Sequence, residues 1–173
     1  SFTELPIQLM DQSGQLLQSF GSSTRYCALL KKYIFTKGEC FQLHLTAGRR
    51  AQSLGEAYIF SCHANLNHIA FPLQSQGELL GSIIVGPFVM DVPDSTLVSG
   101  VAESYHITPA LSLELYDELR GLQVIPPARV NQLSRLIDHL LRPLLPAERV
   151  LLLQSQQKLY QQSRINETIQ MYK

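Results

Sequence analysis

The apolar positions change period along the chain, and the changes divide it into elements. Residues 5–11 (LPIQLMD) and 15–20 (QLLQSF) are short, strand-like runs around Gln12-Ser13-Gly14, a turn-forming triplet, and predict a β-hairpin. From Ser22-Ser23-Thr24, which offer capping hydroxyls, Tyr26, Leu29, Leu30 and Tyr33 recur at helical spacing and predict a first helix. Gly38 breaks it. A second helix is expected over residues 39–54, with Phe41, Leu43, Leu45, Ala47 and Ala51 apolar and Gly55 as its stop.

Aromatic and β-branched residues then dominate. Residues 57–63 (AYIFSCH), 68–74 (HIAFPLQ) and 79–90 predict three strands joined by short turns, an antiparallel meander. Pro72 predicts an edge or a bulge in the second of them. Ile83-Ile84-Val85 is apolar on both faces and predicts a central position for the third, with a bulge or turn at Gly86-Pro87. Three helices should follow. One is capped by Asp94 or Ser95, and one opens on Thr108-Pro109. The third spans residues 128–142, with Val130, Leu133, Leu136, Ile137 and Leu140 on one face. The pattern therefore predicts an α/β (α+β) domain with a central antiparallel sheet of about five strands and flanking helices.

The last stretch changes character. Residues 147–173 keep only a thin seam, Leu152, Leu159 and Ile169 with a polar Asn166, among Gln and Ser. It fits a weak two-stranded coiled coil. We expect one domain at 1–146 and a separate helix at 147–173 that pairs in a homodimer. The chain opens on Ser1 and stops at Lys173 inside a helical pattern, so a longer parent protein with an output domain is expected.

Charge narrows the function. Fourteen basic and 14 acidic residues cancel. That excludes nucleic-acid binding driven by bulk basicity and argues against polybasic membrane attachment. No apolar run approaches the ~20 residues of a membrane span. Three cysteines, an odd number, with no secretory signal argue against a disulfide framework and for a cytoplasmic setting, with the thiols free, metal-bound or ligand-facing.

The candidate chemistry is concentrated at Cys40, His44, Tyr58, Cys62, His63 and His68. Cys40 and His44 share a helix face. On an extended strand Tyr58, Phe60 and Cys62 point one way and His63 the other, so Cys62 and His63 meet one pocket only if the strand bends. Cys27, Cys40, Cys62 and His63 (or His44) could supply metal ligands, but no two cysteines stand at the close spacing of structural zinc sites. A cysteine nucleophile lacks any recognised elbow or oxyanion loop, and neither an enzyme signature nor a cofactor motif is present. Buried structural thiols with backbone-satisfied histidines remain the plain alternative.

These residues carry a family resemblance. Tyr26-Cys27, Gly38-Glu39-Cys40, the run from Tyr58 through Cys62-His63 to Leu66, Ala70-Phe71-Pro72-Leu73, and Gly77 with Gly81 through Gly86-Pro87-Phe88 resemble the PocR-type sensory domain across roughly residues 5–150. Asn65 stands where a glycine is often seen, and Ala28 where a basic residue is common. The resemblance implies a PAS/GAF-like sensor of simple hydrocarbon derivatives such as small diols. It implies a position N-terminal to an output module, often an AraC-type DNA-binding domain or a histidine kinase. It carries functional roles onto Cys40, Cys62, His63 and Cys27. The expected ligand site is Cys40, His44, Tyr58, Phe60, Cys62, His63 and Phe71, with DNA reached only through the output domain. A metal or redox sensor using Cys27, Cys40, Cys62 and His63, and a structural dimerisation module, are the competing expectations.

Overall fold

The computed structural model describes residues 5–34, 38–75 and 78–141. The chain divides into two compact units, residues 1–138 and 139–173, and the site described below lies in the first. The expected domain boundary at 146 and the signalling helix at 147–173 fall outside the described residues.

The strands β1 (Ile7–Asp11), β2 (Leu16–Phe20), β3 (Tyr58–Ser61), β4 (Asn67–Ser75) and β5 (Glu78–Phe88) form one antiparallel sheet in the order β2-β1-β5-β4-β3. Helices α1 (Arg25–Tyr33) and α2 (Glu39–Leu54) lie between β2 and β3 in sequence. Helices α3 (Ser95–Tyr105), α4 (Pro109–Leu119) and α5 (Pro127–Leu141) follow β5. The fold is α+β, a five-stranded antiparallel sheet with flanking helices.

Local chemistry accounts for the boundaries. Thr24, Asp94 and Thr108 cap α1, α3 and α4, each side-chain oxygen accepting a backbone N–H of the first turn. Gly55 closes α2 in a left-handed conformation. β5 is central, as its two-sided apolar run requires. Pro72 lies in β4 beyond Ala70, the last residue paired with β3, so β4 is locally an outer strand there. An irregular register follows between Leu73 and Gln74.

The register sorts the side chains into two faces. Tyr58 pairs with Ala70, Phe60 with His68, and Ala70 with Ile84. Tyr58, Phe60, Ala70 and Ile84, with Met10, pack against Ala47 and Ala51 of α2. α2 comes close because its inner face is small: a Cβ at Gly48 would meet Ser82 Oγ at 2.8 Å. Ile69, Phe71 and Val85 occupy the opposite face and are buried. Each such side chain contributes about 1.5–3 kcal/mol through burial.

A second core joins α1, α3 and α4 to the turn after β3. It contains Tyr26, Leu30, Ala64, Leu66, Val98, Val101, Leu115 and Leu119. The half-buried Cys27, Cys40 and Cys62 pack against it. In α5 the observed inner positions are Val130 and Ser134, whereas Leu136 and Leu140, expected on the buried stripe, are exposed.

Candidate functional site

A cavity of about 80 Å³ lies where α1, α2 and the sheet meet. Pro6, Gln8 and Ser19 contribute from the β1–β2 side, and Ser23, Cys27, Leu30 and Lys31 from α1 and its approach. Cys40 and His44 come from α2, one turn apart. Cys62, Ala64 and His68 come from the end of β3 and the start of β4, and Gly86 and Pro87 from β5.

The expected strand over residues 57–63 ends early, and that decides which side chains arrive. β3 stops at Ser61. Cys62 N–H then donates to Leu66 O at 2.8 Å, and Asn65 N–H donates to Cys62 O at 2.9 Å, closing a tight turn. Asn65 takes φ +57°, a left-handed conformation that asparagine tolerates and glycine prefers. Strand alternation therefore no longer applies at Cys62 and His63. Cys62 turns to the cavity and His63 is exposed, outside its lining.

The remaining expected residues separate by face. Cys40 and His44 line the cavity together, as their helical spacing predicts. Phe60 stands behind it, its ring stacked on His68 with centroids 5.3 Å apart and edge-on to His44 at 6.0 Å. Tyr58 stacks on Phe60 one position farther away, at 6.2 Å. Phe71 lies on the opposite face of the sheet, because it is odd in register to His68. In place of Tyr58, Phe60, His63 and Phe71 the fold brings Cys27 and His68 to the cavity lining. Cys27 was expected only through the family resemblance and the metal quartet. His68 was detectable as the residue paired with Phe60, once the strand register is known.

Gly86 admits the sheet to this site. Its φ of +131° and the 2.9 Å that would separate a Cβ from Asn67 O leave room only for glycine. The β4–β5 register is irregular there, between Asn67 and Ile69, as a bulge requires.

Burial sets the protonation states. His44 has its pKa lowered to about 4, by burial first and then by Lys31. His68 is lowered to about 3, by burial and then by His44, whose ring centroid is 5.3 Å away. Both imidazoles are neutral at pH 7. His68 Nδ1 lies 3.3 Å from Leu66 O, which can only accept, so Nδ1 donates and Nε2 keeps a lone pair. Burial also raises the Cys27 thiol, and raises Cys62 to about 11. These two thiols stay protonated and unactivated at neutral pH.

Two buried oxygens have no hydrogen-bond partner among the described residues: Tyr26 Oη and Glu39 Oε2. No three His, Cys, Asp or Glu side chains among the described residues are grouped so as to hold a metal ion. In the quartet Cys27, Cys40, Cys62 and His63, the imidazole lies outside the cavity that the three thiols line.

The site is thus a small chamber of thiols, neutral imidazoles and apolar walls; among the described residues Lys31 is its one charged lining residue and no carboxylate lines it. A family model described as the sensory domain found in PocR matches residues 1–145. The chain belongs to the PocR sensory domain family. Comparison with curated proteins and with solved structures gives no match. In this PocR sensory domain the chamber lies beside the helical core, to which Leu30 and Ala64 of its lining belong. Each of its thiols touches both the cavity and the helical core of α1, α3 and α4. Among the described residues no helix is long and apolar enough to cross a membrane.

Proposed function

We propose that this PocR domain binds a small, uncharged, oxygen-bearing organic effector, a short-chain diol or polyol, in the chamber of Cys27, Cys40, His44, Cys62 and His68. It then signals occupancy to a C-terminal output domain in transcription regulation. The observation that carries this reading is the pairing of neutral imidazoles with protonated thiols around a closed-in space of about 80 Å³. Such groups exchange hydrogen bonds with a hydroxyl and gain little from an ion. The neutral histidines and unactivated thiols also support binding over catalysis. A ligand of a few heavy atoms yields at best ~1.5 kcal/mol per atom, so micromolar or weaker affinity is expected.

Signalling would follow by population shift. The thiols are shared between the chamber and the helical core, so filling the chamber favours one packing of α1, α3 and α4. We place the domain in a cytoplasmic regulator that dimerises through its C-terminal helix and meets DNA through its output module.

Thermal unfolding with increasing ethylene glycol, propylene glycol or glycerol tests the proposal, with propionate as the charged control. At least one of the polyols should raise the midpoint saturably, by several degrees at ~100 times its Kd. Propionate should not. A rise that never saturates with any polyol, or an equal rise with propionate, contradicts the reading.

A further inference from the structure

Among the described residues Tyr26 is the largest side chain that is fully buried, and its hydroxyl has no partner there. The residue is 0% exposed, and Oη has no hydrogen-bond partner among the described residues. Leaving such a group unmade costs stability in the ligand-free fold, and phenylalanine would fill the same space without that cost.

Its place is specific. Tyr26 stands one turn before Leu30 on α1 and directly before Cys27, and both of those line the chamber. It packs in the same core as Ala64, another lining residue. The same core packs against Cys27 and Cys62, so Tyr26 lies in the core behind this thiol layer of the chamber's lining, and burial raises its phenol pKa.

We infer that Tyr26 is an effector-binding residue whose hydroxyl hydrogen-bonds the inner hydroxyl of the ligand between Cys27 and Cys62. The inference rests on the chamber being the effector site, and it deepens that reading. It makes the ligand a molecule with a hydroxyl at its buried end, and it makes Tyr26 the group that rewards full insertion. The thiol layer then has two arrangements: closed over an unpaired phenol when empty, and parted around a ligand hydroxyl when filled.

The test is Tyr26→Phe in the full chain, titrated with whichever polyol (ethylene glycol, propylene glycol or glycerol) stabilises the wild type. Two readouts move in opposite directions. Without ligand, the variant should unfold at the same or a higher denaturant concentration than wild type, because it loses an unpaired oxygen. With ligand, its Kd should weaken about five-fold or more, the loss of one hydrogen bond. An unchanged Kd in the variant overturns the role of Tyr26 and leaves the chamber standing. A ligand-free variant clearly less stable than wild type overturns it too, because the hydroxyl then has a partner in the empty protein. No saturable polyol binding to the wild type overturns this inference together with the reading on which it rests.

Discussion

Acidification from pH 7 to pH 4.5 is expected to strip the domain of a large part of its stability, through His44 and His68. In the folded protein their pKa values are about 4 and about 3, set chiefly by burial. In the unfolded chain a histidine titrates near 6.5. Below pH 6.5 the unfolded state therefore binds protons that the folded state refuses, and stability falls with falling pH. The contribution is complete above the unfolded value and is lost progressively down to the folded values. For the pair the loss is on the order of 5 kcal/mol at pH 4.5, against a typical total of 5–15. Asp11 and Asp94 do not mask it. Hydrogen bonds, from Ser13 and Thr96 above all, hold these carboxyls below their ordinary 3.8, so their contribution is lost only beneath this window. Urea midpoints at half-unit pH steps measure the effect. The His44→Phe/His68→Phe double variant should flatten the profile, whatever its absolute stability. A wild-type profile that is level from pH 6.5 to 4.5 is incompatible with neutral, buried imidazoles at this site.

Replacing Cys40 with phenylalanine is expected to abolish the effector response while preserving the fold. Cys40 is the second residue of α2, is half-buried and lines the chamber. A phenyl ring projected from that position has about 80 Å³ of open space to enter, so it fills the volume a ligand would use. Cys62→Leu fills it from the end of β3 and serves as the second variant. Cys40→Ser keeps the volume and a polar tip, and should bind within a few-fold of wild type. His63→Ala should change nothing in the titration, since His63 lies outside the lining. The far-UV circular dichroism of Cys40→Phe should match wild type while its saturable thermal shift disappears. A wild-type titration in both Cys40→Phe and Cys62→Leu would place the effector elsewhere.

Much of this fold is legible in the residues because local chemistry marks it. α2 begins and ends where Gly38 and Gly55 say it should, and capping by Thr24, Asp94 and Thr108 sets three more boundaries. The hairpin and the meander follow from turn residues and β-branched runs. The site was legible only where its geometry is local. Cys40 and His44 meet because four residues make a helical turn. Cys62 and His63 could not be sorted by alternation, since the strand ends one residue earlier in a turn fixed by a left-handed Asn65. Phe71 looked like a wall and His68 like one histidine among several. Which of the two faces α2 depends on the β3–β4 register, a long-range property that composition does not encode. Tyr26 was visible as a helical core residue. Its unused hydroxyl could be found only by accounting for each buried polar atom in three dimensions.

The central claim is that the chamber of Cys27, Cys40, Cys62 and His68 is where a small polyol sits. The most direct measurement is a crystal structure of the protein grown with a saturating short-chain diol. The account predicts density for one diol molecule inside that chamber, its inner hydroxyl beside Tyr26 Oη and an outer oxygen within reach of His68 Nε2 or His44. A chamber still empty at saturation would contradict it, as would the diol ordered only elsewhere, for example in the apolar groove of Val98, Ile107 and Tyr116 between α3 and α4.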